Sequence, residues 1–314
     1  MPRIIECSTE ESIELENLVE LLETRGFDAR DEEDFASWGH ALKMLANNRD
    51  FLADLMIEEL KQRCREQVRN NQYSAQVIML HMNSQKFVLR ANLWPAEADT
   101  VVRQSGTDPF FYHVPHDHNF SFLTVGYLGP GYWSDYYEFD YDEVIGFPGE
   151  KVGLRFVEKS RLEQGKVMLY RAHKDVHLQL PADSLSVSLN IVETSSTTAF
   201  RDQYRFDLES GTVTGILTRT SLEPLLMLAA HQGGGNGTDL VDSFGRGHPS
   251  DRVRWAALRA RAGAAGTLDE RIAILEAGTR DPSRLVAQMA RGAVAKLIEG
   301  RDWIEAPPSL EVAA

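Results

Sequence analysis

The chain has 314 residues, 43% hydrophobic and 25% charged, which is the balance of a globular protein with one large domain or two to three modest ones. Its 33 lysines and arginines face 47 aspartates and glutamates, a formal charge of −14, and such a surface repels phosphate backbones and anionic lipid, so neither nucleic acid nor a membrane is expected as a partner. No apolar run reaches about 18 residues, no secretion leader is read at the start, and Cys7 and Cys64 lack any CxxC partner, so a reducing, cytoplasmic setting without zinc ribbon or disulfide scaffold is expected.

In chain order, residues 8 to about 70 read as helices. Ser8-Thr9-Glu10-Glu11 predicts a helix start, Ile13, Leu15, Leu18, Leu21 and Leu22 keep helical spacing, and Gly26 stops it. A second helix is predicted from Glu32 to Leu45 and a third after Asn48, through Phe51, Leu52, Leu55, Met56 and Leu60. Residues 73 to 195 change period. Runs such as Val77–Leu80, Phe87–Leu89, Ser121–Val125, Val152–Val157, Val167–Tyr170 and Ser184–Val192 are short and β-branched or alternating, with Gly and Pro between them, a pattern that predicts a sandwich or barrel. From residue 219 the helical period returns, rich in Ala, Leu and Arg. His248-Pro249-Ser250 and Asp281-Pro282-Ser283 each precede a helix, an echo that fits stacked helix pairs like HEAT repeats. The run Gln232-Gly-Gly-Gly-Asn-Gly-Thr238 reads as a flexible, exposed linker. The expected organisation is therefore mainly β with flanking α: N-terminal helices over 1–72, a β-barrel over 73–200, a C-terminal helical-repeat region over 201–305 and a disordered tail over 306–314.

Five of the nine histidines fall between 113 and 177. His116 and His118 are two apart, so on extended chain both imidazoles point to one side. His177 precedes a later strand that the fold can bring beside them. Three neutral imidazoles suit iron, zinc, copper or nickel and leave coordination positions open. His113 is an odd number of residues from His116 and faces away in a regular strand, while His173 or Glu138 could join the site or support it.

Phe87-Val-Leu-Arg-Ala-Asn-Leu-Trp94, Pro115-His-Asp-His118, Ser121-Phe-Leu-Thr-Val with Gly129, Asp175-Val-His177 and Leu185-Ser-Val-Ser-Leu-Asn190 together resemble the cysteine dioxygenase type of cupin, over about 120 residues. That resemblance implies a cupin barrel with Fe(II) on His116, His118 and His177, and dioxygenase chemistry with O₂ on a small molecule, amino acid or peptide. Zinc, manganese or nickel are the other metals it admits. Three departures stand against cysteine itself as substrate. No arginine lies near Tyr73-Ser74-Ala75-Gln76, where the family's carboxylate-binding arginine is expected. Val192 stands in place of the catalytic tyrosine, and Asn190 in place of its histidine partner.

Candidates for the substrate pocket are Arg90 and Arg171, whose guanidinium groups can clamp a carboxylate, and Tyr132, Trp133, Tyr137, Glu138 and Asn190, since aromatic faces and carboxylates attract cations. Plain alternatives stand against these: an ion pair for the arginines, a merely solvated side chain for Glu138, and packing outside the barrel for the aromatics. The expected function is an iron-dependent oxidoreductase. The alternatives are a metal-dependent sensor or scaffold, whose C-terminal helices bind a protein or a second copy of the chain, and a non-redox metal cupin such as an isomerase.

Overall fold

The computed structural model describes residues 2–71, 73–74, 76–83, 86–195, 198–218 and 220–305, so the expected disordered tail and Ala75 lie outside the described residues. The chain divides into two compact units, one spanning Met1–Val144 and Pro148–Thr218, the other Ile145–Phe147 and Arg219–Ala314. No helix is long and apolar enough to cross a membrane among the described residues.

The first unit opens with β1 (Arg3–Ile5), then α1 (Leu15–Arg25), α2 (Glu32–Ser37), α3 (Gly39–Asn47), α4 (Phe51–Lys61) and α5 (Arg65–Asn70). Helix α1 starts at Leu15, not at Ser8, because Asn17 accepts the Glu14 backbone N–H and caps the first turn there. The single helix expected from Glu32 to Leu45 breaks at Trp38, which is buried at 2% exposure and reorients the chain into α3. The strands follow as β2 (Val77–Asn83), β3 (Phe87–Trp94), a short helix α6 (Thr100–Ser105), β4 (Phe122–Leu128), β5 (Trp133–Glu138), β6 (Arg155–Arg161), β7 (Val167–Tyr170), β8 (Asp175–Gln179), β9 (Ser186–Glu193), β10 (Tyr204–Asp207) and β11 (Thr212–Ile216).

These strands do not close into the expected barrel. They form a six-stranded antiparallel sheet in the order β1-β7-β4-β9-β3-β2, a three-stranded sheet β6-β5-β8, and the hairpin β10-β11. Strand pleating gives the large sheet two different faces. Leu89, Ile191, Leu123 and Leu169 pair across it, as do Ala91, Leu189, Val125 and Val167, and this face packs on Leu18, Leu22, Phe35, Trp38, Leu42 and Leu45 of the helices. Each fully buried Leu or Phe there contributes roughly 1.5–3 kcal/mol. The other face carries the rows Val88–Val192–Phe122–Tyr170 and Arg90–Asn190–Thr124–Met168, and it meets Tyr132 and Tyr136 in a second core between the sheets.

Two boundaries move. The N-terminal segment contributes a strand, β1, to the sheet edge, and the helical region expected from residue 201 begins only at Leu222. Residues 204–216 are instead a hairpin whose Tyr204, Phe206 and Val213 are buried while Arg205 and Asp207 are exposed, a short alternation hidden among polar neighbours.

The second unit holds α7 (Leu222–Gln232), α8 (Gly234–Gly247), α9 (Asp251–Gly263), α10 (Leu268–Gly278), α11 (Arg284–Glu299) and α12 (Arg301–Glu305). Ser250 and Ser283 cap α9 and α11 by accepting the Val253 and Val286 N–H groups, which is the structural content of the Pro-Ser echo. The glycine run is not a linker. It is the close crossing of α7 and α8: a Cβ on Gly237 would lie 2.2 Å from the Ala229 carbonyl oxygen, and Gly237 is buried.

Candidate metal centre

Pro115 leads into extended chain, and His116 exchanges two backbone hydrogen bonds with His177 of β8, N to O at 3.1 and 3.0 Å. Directly paired residues project to the same side of their sheet, and His118, two residues on, does so too. Asp117, between them, points the other way. There it is fully buried, and its Oδ1 accepts the Tyr204 N–H at 2.5 Å while Phe206 N–H donates to the Pro115 carbonyl at 2.9 Å. Burial pushes the Asp117 carboxyl up to about 7. The β10 strand thus holds the back of the His116–His118 segment.

The three imidazoles converge. One ring nitrogen from each lies within 4.8 Å of the others, with His177 Nε2 at 3.0 Å from His118 Nε2 and 3.2 Å from His116 Nε2. His116 Nδ1 donates to the Val114 carbonyl at 2.7 Å, which leaves Nε2 with its lone pair turned inward. Burial holds the His116 ring near a pKa of about 4 and pushes His118 and His177 well below the ordinary histidine value, so all three are neutral at pH 7. One ring proton on His177 Nε2 cannot serve both short contacts, so at least one of them brings two ring nitrogens together without a hydrogen bond. A cation fits that arrangement. Nitrogens about 2.1 Å from a common ion stand about 3.0–3.4 Å apart at octahedral or tetrahedral angles.

Aromatic side chains enclose the cluster. Phe122 stacks on Tyr170 at 4.4 Å, Tyr170 lies 5.0 Å from the His177 ring, and the Tyr170 and Tyr136 hydroxyls are 2.9 Å apart. Phe120 sits 4.9 Å from His118, and Phe111 5.3 Å from His116. Phe111 is 43% exposed and, like His113, has positive φ, a conformation that non-glycine residues hold only where the surroundings enforce it. A cleft of about 640 Å³ opens nearby, lined by Asn119, Ser121, His173 and Arg201, but none of the three clustered histidines lines it.

Of the predicted pocket residues, Arg90, Tyr132 and Asn190 face the space between the sheets. Trp133, Tyr137, Glu138 and Arg171 do not. Along β5 the inward positions are Ser134 and Tyr136, so Trp133 and Tyr137 turn outward, under Arg161 and against Phe156. Arg171 follows β7 and binds Asp175 at 2.7 and 3.0 Å and Glu138 at 3.3 Å, an ion-pair network away from the cluster. His113 is exposed, and His173 packs against the Tyr141 ring at 3.9 Å, so neither joins the three histidines. Sequence reading missed Tyr170 and Phe120. Tyr136 lies in the aromatic run 131–141 that reads as a pocket lining, and Phe111 in the segment 108–113 that reads as the pocket mouth; the alternation of 132, 134 and 136 turns Tyr136 inward.

No protein-family model matches the chain, and no curated protein does. Among solved structures, a DMSP lyase of Ruegeria pomeroyi overlaps 38% of this chain and 47% of its own, at 11% identity and TM-score 0.23. A salicylate 1,2-dioxygenase of Pseudaminobacter salicylatoxidans overlaps 45% and 33%, at 9% identity and TM-score 0.25. The hydroquinone 1,2-dioxygenase PnpCD overlaps 41% and 71%, at 12% identity and TM-score 0.23. The chain spans less than half the length of the first two, and at such scores the likeness establishes neither fold nor activity.

Proposed function

We propose that the protein is a metal-dependent oxygenase, with His116, His118 and His177 holding one divalent first-row ion, Fe(II), for O₂ chemistry on a small molecule. The observation that carries this is the convergence of three buried, neutral imidazoles at 3.0 and 3.2 Å. Bound iron supplies the one-electron steps that O₂ needs to react with a closed-shell substrate. The chain's own residues do the rest. The Val114 carbonyl fixes the His116 tautomer, the His116–His177 backbone pair sets the ring spacing, and Phe120, Phe122 and Tyr170 keep water from the cluster.

The test is anaerobic loading with Fe(II), measurement of bound metal, then O₂ uptake against a panel of carboxylic acids, amino acids, thiols and peptides. About one iron per chain and substrate-dependent O₂ uptake are expected. Failure to hold any first-row ion overturns the metal reading. Retention of zinc over iron, with no O₂ uptake by iron-loaded protein, overturns the oxygenase reading.

A further inference from the structure

Arg90 is a buried cation without an acid. It is 8% exposed, its guanidinium lies over the Tyr73 ring at 4.9 Å, and its Nε has no hydrogen-bond partner. No salt bridge among the described residues includes it, although the buried arginine of the second unit, Arg252, meets Glu223. Asp175 and Glu138 are engaged by Arg171, and Asp117 points to the far side of the histidine segment. A guanidinium taken out of water without a counter-charge is costly, so a protein that keeps one there has a use for it.

Strand register says where it points. Arg90 pairs with Asn190, which pairs with Thr124, and this row lies beside Val88–Val192–Phe122–Tyr170, the row that touches the His118 and His177 rings. Asn190 Oδ1 and Thr124 Oγ1, both buried, also lack partners. Three neutral imidazoles, a divalent ion and Arg90 together give the space a strong positive excess that an anionic ligand would neutralise. The planar fork of a guanidinium matches a carboxylate, and Tyr132, Tyr136 and Tyr170 belong to the buried core between the same sheets. Beside the cluster, the exposed Phe111 lies 5.3 Å from the His116 ring and the partly buried Phe120 lies 4.9 Å from the His118 ring.

We propose that Arg90 binds the carboxylate of a small aromatic acid at the metal centre, with the ring of the acid held between Phe111 and Phe120. This rests on the reading of the three histidines as a metal site and narrows it to a substrate class. Asn190 and Thr124 then take a further polar group of the ligand.

The probes are benzoate, its neutral amide benzamide, and acetate, each titrated by calorimetry into metal-loaded and metal-free protein. Benzoate should bind at least tenfold more tightly than benzamide or acetate. Arg90→Met should lose at least tenfold in benzoate affinity while keeping its metal, and should melt no lower than wild type, because a cation kept for a ligand does not stabilise the empty protein. Phe111→Ala, at an exposed position that tolerates truncation, should weaken benzoate and leave acetate unchanged. It keeps the proposal testable should Arg90→Met not fold. Benzamide binding as tightly as benzoate, unchanged benzoate affinity in Arg90→Met, or unchanged benzoate affinity in Phe111→Ala each overturns the proposal. The metal reading fails separately: if wild type holds no metal yet binds benzoate through Arg90, the subsite stands and the metal assignment falls.

Discussion

Single residues set the chemistry of the centre, and their roles differ in what their removal should cost. His116, His118 and His177 each supply one nitrogen, so truncating any of them leaves two imidazoles, which rarely hold a first-row ion tightly. Each alanine variant should retain at least about tenfold less metal after gel filtration, measured by elemental analysis, whereas His173→Ala, outside the cluster, should retain wild-type metal. A full site in His177→Ala with an empty one in His173→Ala would reassign the third ligand. Tyr170→Phe makes a different demand. It removes one of two buried hydroxyls 2.9 Å apart and leaves Tyr136 short of a partner, so urea denaturation should show a loss of about 1–3 kcal/mol. At this scale the histidines were legible because i, i+2 spacing is a local property. Arg171 and Glu138 were not, since only the fold shows that they are bound to each other.

Elements were legible where period and punctuation agreed, as in β3, β7 and β9. Strands β8 and β10 were missed because their alternation is masked: β8 sets Asp175, His177 and Gln179 on the face of the cluster with Val176 and Leu178 opposite, and β10 is four residues with Arg205 and Asp207 between Tyr204 and Phe206. The glycine run misled for a related reason: glycine signals both flexibility and close approach, and composition alone does not separate them. The two uses predict opposite signs for one substitution. Gly235→Ala, with nothing within 4 Å of the new Cβ, should gain up to about 1 kcal/mol from helix propensity. Gly237→Ala should instead lose about 2 kcal/mol or more, because its Cβ would drive α8 off the Ala229 carbonyl. Thermal melts of both variants decide it. Equal and stabilising effects would restore the linker reading. Ser283→Ala, which strips the cap of α11, should cost about 1 kcal/mol by the same measurement.

On the scale of the whole molecule, an ion held only by the folded state adds stability by mass action, about 2.7 kcal/mol at a free concentration one hundred times its Kd. Chelation should therefore lower the melting transition of wild type, and the three histidine variants should melt alike with and without chelator. A chelator effect that persists in His116→Ala would locate the stabilising ion elsewhere. The centre also has a history in time. His116 and His177 are separated by 61 positions in the chain, and the Asp117–Tyr204 contact behind them closes a separation of 87. Loops of that span are entropically costly to close and reward the chain only once the sheets have docked, so long-range pairing of this kind is slow. The ion has no three-nitrogen seat until those segments meet. Capture of a metal by these three histidines would thus be a clock for the last stage of folding, and a chain that stalls before β10 settles against the histidine segment would have no seat to offer it.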